Sequence, residues 1–226
     1  FAVHIATELI ERDAKLLVVA CNSATAAAGE LLEARFGDVD VITVVGPEAQ
    51  AAAVATRTGR VGLLATPATV ASRAYERALA AADPHLRLTA VACPDLAPII
   101  QAGFPFDEEV VRIVRQYCEP LRAARVDTVI LGCTHYPLIR PMIQRMLGRA
   151  VELVTPGQAI ARRVECALAA RDLDSDADGE GAYRFLCTAD VDDFRALGTR
   201  FLQLPLGDIE HIDVHAAETV LLDLPR

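Results

Sequence analysis

Residues 127–136 read DTVILGCTHY, and residues 16–24 read LLVVACNSA. Each runs a short apolar, β-branched stretch into a small residue, then a cysteine, then two hydrogen-bonding residues. Near-continuous rather than alternating hydrophobicity marks a strand covered on both faces, the condition of strands in parallel sheets. Working outward, runs of this kind recur at 16–20, 41–44, 61–65, 88–92, 128–131, 151–154, 183–188 and 209–213. The segments between them have helical periodicity. In the clearest, Val110, Val114, Tyr117 and Leu121 are spaced 4, 3 and 4 behind Asp107, Glu108 and Glu109, where the helix dipole favours acids. Alternation of strand and helix predicts an α/β protein with mainly parallel sheets.

The 226 residues, 53% hydrophobic and 23% charged, can bury a real core and suit one large or two small domains, which excludes disordered and fibrous classes. A net charge of −9 repels a phosphate backbone or an anionic membrane surface, so no nucleic-acid or membrane partner is expected. The longest uncharged run, 16–29, contains Asn, Ser and Thr and falls short of the ~18 apolar residues of a spanning helix. No basic stretch followed by an apolar one opens the chain, which predicts a soluble, cytoplasmic protein. The first residue, Phe1, enters directly into a helical pattern, so natural sequence is expected to precede it.

The cysteines are Cys21, Cys93, Cys118, Cys133, Cys166 and Cys187, none in a C-x-x-C pair, and free thiols are expected. Most cytosolic thiols are small buried hydrophobes. Cys21 and Cys133 stand apart because both follow strands, 112 residues from each other, the scale of two duplicated α/β units. Ligands in open parallel sheets bind at the carboxyl ends of strands, where both Cys-polar-polar turns would lie. The acidic stretch 172–181, DLDSDADGEG, lacks the helical flanks and closing Glu of a calcium-binding hand and reads as a surface loop.

A thiol at a strand end can be a nucleophile, a metal ligand or a proton-transfer group. Cys133 has His135 two residues on, but no nucleophile-elbow pattern surrounds it and Cys21 is left unexplained. Zinc needs four ligands at close spacing, and only Cys133 with His135 comes near, so no metal is expected. Proton transfer accounts for the duplication. Inverting a carbon that bears an acidic hydrogen needs one group to remove the proton and another to deliver one to the opposite face. A thiol with a reference pKa of about 8.5 can serve in either role. Asn22, Ser23, Thr134 and His135 can hydrogen-bond an amino acid's carboxylate and ammonium. The only lysine, Lys15, precedes the strand leading to Cys21 and so lies at its opposite end, which argues against a Schiff-base cofactor. No cofactor is expected.

ACNSA around Cys21, GLLATPATVASRAY over 62–75, ACPDLAPII from Ala92 and LGCTHYPLI over 131–139 resemble the glutamate racemases of the cofactor-independent aspartate/glutamate racemase family. The resemblance implies two similar α/β domains with the active site in the cleft between them, residues 46–155 forming one and 1–45 with 156–226 the other. It implies interconversion of L- and D-glutamate, supplying D-glutamate for peptidoglycan, with a homodimer a possible assembly. It makes Cys21 and Cys133 the catalytic pair and His135 the assistant of the adjacent thiol. Asn22, Ser23, Thr134, His135, Thr66 and Thr69 then contact the substrate. Competing readings are an aspartate racemase or diacid isomerase on the same scaffold, or a catalytically silent binding protein.

Plainer roles stand beside these. Asn22 and Ser23 could cap a helix starting near Thr25, Thr66 and Thr69 could begin a helix around Pro67, and His135 could be structural. The chain also departs from the family. Its Asp-Ser-Gly and Pro-Tyr-Gly turns would precede Phe1, a customary Glu is Gln101, and a customary Thr is Ser23. Lack of an opening strand and helix would expose apolar surface and a strand edge, predicting a fragment that is marginal or inactive alone.

Overall fold

The computed structural model describes residues 1–103, 107–155, 157–177 and 179–214. A strand forms at each of the eight expected runs: β1 (Leu16–Val19), β2 (Asp40–Thr43), β3 (Arg60–Ala65), β4 (Arg87–Ala92), β5 (Thr128–Gly132), β6 (Glu152–Val154), β7 (Phe185–Cys187) and β8 (Ile209–His211). Every pairing among them is parallel, and helices connect them, as the alternating pattern requires. The chain divides into two compact units, Ala14–Ser175 and Phe1–Asp13 with Asp176–Arg226. The smaller holds the helix Ala2–Glu11 and a β7–helix–β8 unit whose helix, Val191–Leu202, is capped by Asp190.

The larger unit carries β1 paired with β2 and a four-stranded sheet in the order β4-β3-β5-β6. Its two central strands are buried almost throughout, because both faces are covered. Alternate residues serve opposite cores. Leu64, Val129 and Leu131 pack with Val114, Leu121 and Ile143, while Val61, Leu63, Ala65 and Ile130 pack with Ala49, Tyr75 and Leu79. The helix Glu108–Ala123 buries Val110, Val114 and Leu121 as its periodicity predicts, and Asp107 caps it by accepting from the Val110 N–H. Tyr117 differs from expectation: it is half-buried, Cys118 takes the core position, and the phenol donates to Asp95 at 2.5 Å.

Chain order reverses across the middle of this sheet. The β3–β4 connection goes to one side of β3, and β5 then adds on the other, so a switch point lies between the carboxyl ends of β3 and β5. At the other end of that pair, Asp127 accepts from the Thr56 hydroxyl at 2.6 Å and from the backbone N–H groups of Arg57 and Thr58 at 2.8 Å. Burial alone would raise this carboxyl, but those donors outweigh it and bring it down to about 2. The stretch 172–177 forms no strand and leads from the helix Gly157–Ala170 toward β7, the loop that its composition predicts. Among the described residues no helix is long and apolar enough to cross a membrane.

The two central strands touch closely at Gly132, where an added Cβ would lie 2.6 Å from Leu63 Cδ1 and 3.2 Å from the Leu64 carbonyl oxygen. Gly132→Ala is therefore expected to lower unfolding free energy by ~1–3 kcal/mol, the usual cost of overpacking. An unchanged urea midpoint would show that the strands have room to separate.

Candidate active site

Cys133 follows Gly132, which is in register with Ala65 of β3. The Cys133 N–H donates to the Leu131 carbonyl at 2.9 Å, and the Tyr136 N–H donates to the Cys133 carbonyl at 3.1 Å. These bonds fold the chain sharply into the 3-10 turn Tyr136–Ile139. The Cys133 thiol is buried, with Sγ 3.8 Å from His135 Nδ1. Burial pushes this thiol up, the backbone N–H groups of His135 and Tyr136 pull it down, and negative charge on Cys21 or Glu48 pushes it up further. His135 is half-buried, and burial lowers its pKa, so its imidazole is neutral at neutral pH. A neutral imidazole beside a thiol can accept or return the thiol proton.

Cys21 is exposed at the end of the segment leaving β1. It occupies the N-cap of the helix Asn22–Arg35 with extended backbone, and its carbonyl receives the Thr25 N–H at 2.8 Å. The helix thus starts before the expected position near Thr25, and neither Asn22 nor Ser23 caps it. The Thr25 hydroxyl instead reaches back to the Val19 carbonyl at 3.1 Å. Thr134, exposed on the other turn, donates its hydroxyl to the Ala20 carbonyl at 3.0 Å. That bond joins the two Cys-polar-polar turns within one compact unit.

Ser23 meets the end of β3. Its hydroxyl lies 2.8 Å from Thr66 Oγ1 and 3.0 Å from Thr69 Oγ1, and those two are 3.0 Å from each other. Thr66 also caps the helix Pro67–Ser72, accepting from the Thr69 N–H. The helix-start reading of this pair therefore holds for Thr66, and the two threonines also form a three-hydroxyl cluster with Ser23. Asn22 is buried, and its Nδ2 donates to Glu48 Oε2 at 2.8 Å and to Tyr75 Oη at 2.7 Å. Tyr75 in turn donates its phenol to Glu48 Oε2.

Glu48 and Tyr75 lie outside the residues that the sequence singles out for the site. Glu48 is wholly buried, and its Oε1 has no hydrogen-bond partner among the described residues. Burial pushes its carboxyl up to about 8 against the lowering effect of the Tyr75 and Asn22 hydrogen bonds. A signal was present in the sequence, since Glu48 is the only charged residue between Asp40 and Arg57. A charge alone in an apolar run is either a break in the pattern or a buried acid with partners.

The remaining candidates fall elsewhere. Cys93 and Cys118 are buried, and burial raises both thiols to about 12, as befits core filler. Cys166 is exposed on the helix Gly157–Ala170, Cys187 is buried at the end of β7, and none of the six forms a disulfide. Lys15 sits just before β1, at the end opposite Cys21. Gln101 is exposed at the end of the helix Leu96–Gln101. Among the described residues no group of three or more His, Cys, Asp and Glu side chains is arranged to hold a metal. What converges is an exposed thiol, a buried thiol beside a neutral imidazole, and a set of hydroxyls.

Residues 2–164 match the Asp/Glu/hydantoin racemase family. The chain is 41% identical over 237 residues to a glutamate racemase of Beutenbergia cavernae, an alignment covering 100% of this chain and 79% of that one. Its structure is similar to that of a glutamate racemase isoform from Bacillus anthracis, with a TM-score of 0.87 and 32% identity over 96% of this chain and 79% of that one. A glutamate racemase from Francisella tularensis, solved in complex with D-glutamate, gives a TM-score of 0.86 at 27% identity, covering 94% and 79% of the two chains.

The hydroxyl cluster gives a direct check on the geometry. Ser23→Ala leaves Thr66 and Thr69 each short of one partner and should cost ~1 kcal/mol of stability. Thr66→Val removes a helix cap as well and should cost ~1–2 kcal/mol. Urea denaturation of both variants measures the difference, and midpoints equal to the wild type would contradict the cluster.

Proposed function

Because the chain belongs to the Asp/Glu/hydantoin racemase family, and within it to the glutamate racemases, we propose that it inverts glutamate with Cys21 and Cys133 as the two proton-transfer groups. The observation that carries this reading is the Thr134–Ala20 hydrogen bond, which ties together two cysteine turns far apart in sequence. One thiolate removes the Cα proton, leaving a carbanion and a thiol. The other thiol delivers its proton to the opposite face and becomes the thiolate. No electron is gained or lost, so the reaction needs no redox partner, and the two thiols supply both proton transfers.

Cys133, raised by burial, rests as a thiol and is set to deliver a proton when Cys21 acts as base. His135 assists by exchanging a proton with Cys133 across the Sγ–Nδ1 approach. Following the family pattern, Cys21 serves D-glutamate and Cys133 serves L-glutamate. The hydroxyls of Ser23, Thr66, Thr69 and Thr134, with Asn22, receive the substrate's polar groups. Following the family pattern we assign residues 46–155 to one racemase domain and 1–45 with 156–226 to the other, a division that differs from the two compact units in placing 14–45 and 156–175 with the chain ends. The same reading supplies D-glutamate for peptidoglycan in a bacterial cytoplasm, in an enzyme that can assemble as a homodimer.

The test is Cα proton-to-deuterium exchange in D2O, followed by NMR, starting separately from L-glutamate and D-glutamate. Exchange with inversion from both is expected. Cys21→Ala and Cys133→Ala should each lower racemisation by about 10²-fold or more, the scale of losing a positioned acid or base. Full racemisation by either variant would overturn the two-thiol mechanism.

A further inference from the structure

Asn22 is the first residue of the helix Asn22–Arg35 and is 1% exposed. Its amide turns to two wholly buried side chains: Glu48, in the first turn of the helix Val45–Ala55, and Tyr75, in the helix Ala74–Ala82. Val45, Ala49 and Ala52 of one helix pack in the same core as Tyr75 and Leu79 of the other, so both partners are fixed from behind. Three polar contacts close a triangle. Asn22 Nδ2 lies 2.8 Å from Glu48 Oε2 and 2.7 Å from Tyr75 Oη, and the Tyr75 phenol meets the same Oε2. The other amide atom, Oδ1, accepts from no group among the described residues, and unlike Glu48 Oε1 it is not sealed from solvent.

Hydrogen counting decides which way this amide faces. The two ends of an asparagine amide have nearly the same shape, and the torsion that exchanges them is soft, so only the partners can choose. With the NH2 inward, the amide brings two hydrogens and the phenol one, and each of the three contacts receives a hydrogen while Glu48 serves purely as acceptor. With the carbonyl inward, the phenol brings one hydrogen and the carboxyl at most one, so one contact sets lone pair against lone pair. The result is the same whether Glu48 is neutral or ionised.

We propose that Glu48 and Tyr75 are positioning residues that lock the Asn22 amide with its NH2 inward, so that Asn22 offers a ligand Oδ1 alone, an acceptor for the substrate's ammonium group. The identity of that substrate rests on the two-thiol reading given above; the orientation of the amide does not.

Of the polar groups of glutamate at neutral pH, only the ammonium donates hydrogen bonds, and both carboxylates only accept. A fixed Oδ1 therefore takes the amine and repels either carboxylate. An amide free to turn over would grip a carboxylate with its NH2 just as well and would admit glutamate with its two kinds of end exchanged. The amine is bonded to Cα, so holding it at residue 22 holds the reacting carbon next to Cys21. Glu48 and Tyr75 touch no substrate in this scheme and act only through Asn22.

Asn22 is the only asparagine in the chain, so asparagine labelled with ¹⁵N gives a single side-chain amide signal. In the wild-type chain both Nδ2 protons should exchange with water more slowly than those of free asparagine, and should stay slow when L-glutamate is added. Glu48→Leu removes the acceptor and should speed exchange and weaken glutamate binding by about tenfold or more, the scale of one hydrogen bond to a charged group. Glu48→Gln, whose carbonyl can accept both bonds, should restore slow exchange and affinity. Tyr75→Phe removes the other acceptor and should likewise speed exchange, and it serves where Glu48→Leu does not fold. Glutarate, the same diacid without the amine, gives Oδ1 nothing to accept, so its binding should be equal in wild type and Glu48→Leu; an equal loss for both ligands would reduce Glu48 to a structural role and overturn the proposal. Exchange in the wild type as fast as in free asparagine overturns the locked amide, whatever the chain does to glutamate. Slow exchange in a chain that shows no Cα exchange of glutamate overturns the two-thiol reading instead, and the orientation of Asn22 stands.

Discussion

The structure of the larger unit depends on the parallel pairing of β3 with β5. Five register pairs run from Val61 opposite Thr128 to Ala65 opposite Gly132. Asp127 fixes one end of this pair by binding the Thr56–Thr58 backbone turn, and close packing at Gly132 fixes the other. Side chains that follow the last pair have little freedom in where they emerge. Thr66 leaves β3 and Cys133 leaves β5 at adjacent positions, at the point where strand order reverses. A one-residue slip would turn every side chain of β5 to the other face and bury the wrong set. Register is therefore the first determinant of the site, ahead of any polar contact within it.

A second constraint brings the other cysteine to that point. β1 belongs to a separate two-stranded sheet, so no ladder hydrogen bond positions it against β5. Polar contacts do that work instead: Thr134 to the Ala20 carbonyl, Ser23 to Thr66 and Thr69, and Asn22 to Glu48 and Tyr75. Three consecutive residues, Cys21, Asn22 and Ser23, thereby face three different surroundings. The helix N-terminus makes this possible, since its first turn fans successive side chains about the axis roughly 100° apart. Cys21 is left exposed, Asn22 is driven into the interior, and Ser23 reaches β3.

The strands and the parallel α/β class were legible because both rest on long-range burial that leaves a local signature. Eight apolar runs gave eight strands, with ends differing by a few residues at most. Family membership was legible in four short motifs. The start of the helix at Asn22 was not: Asn and Ser are such frequent caps that propensity pointed to a boundary near Thr25, and the cap position went to Cys21, which forms no side-chain cap. Tyr117 had the right spacing for the core, but its hydroxyl needs a partner and finds Asp95 at the surface. Glu48 escaped because its one local mark, a charge alone in an apolar run, fits a break in the pattern equally well. Its partners come from residues 22 and 75, and only the fold shows that an acid in an apolar helix has a place to go.

The same accounting explains why the site is built almost wholly from neutral groups. A Cα proton next to a carboxylate is very weakly acidic, so the base that removes it must keep its own affinity for protons. A neighbouring cation would make a thiolate easier to form and at the same time a weaker base. Burial does the opposite, holding the Cys133 thiol high, so that the thiolate, once formed, is a stronger base. Hydroxyls, an amide and a neutral imidazole can orient a substrate without undoing that.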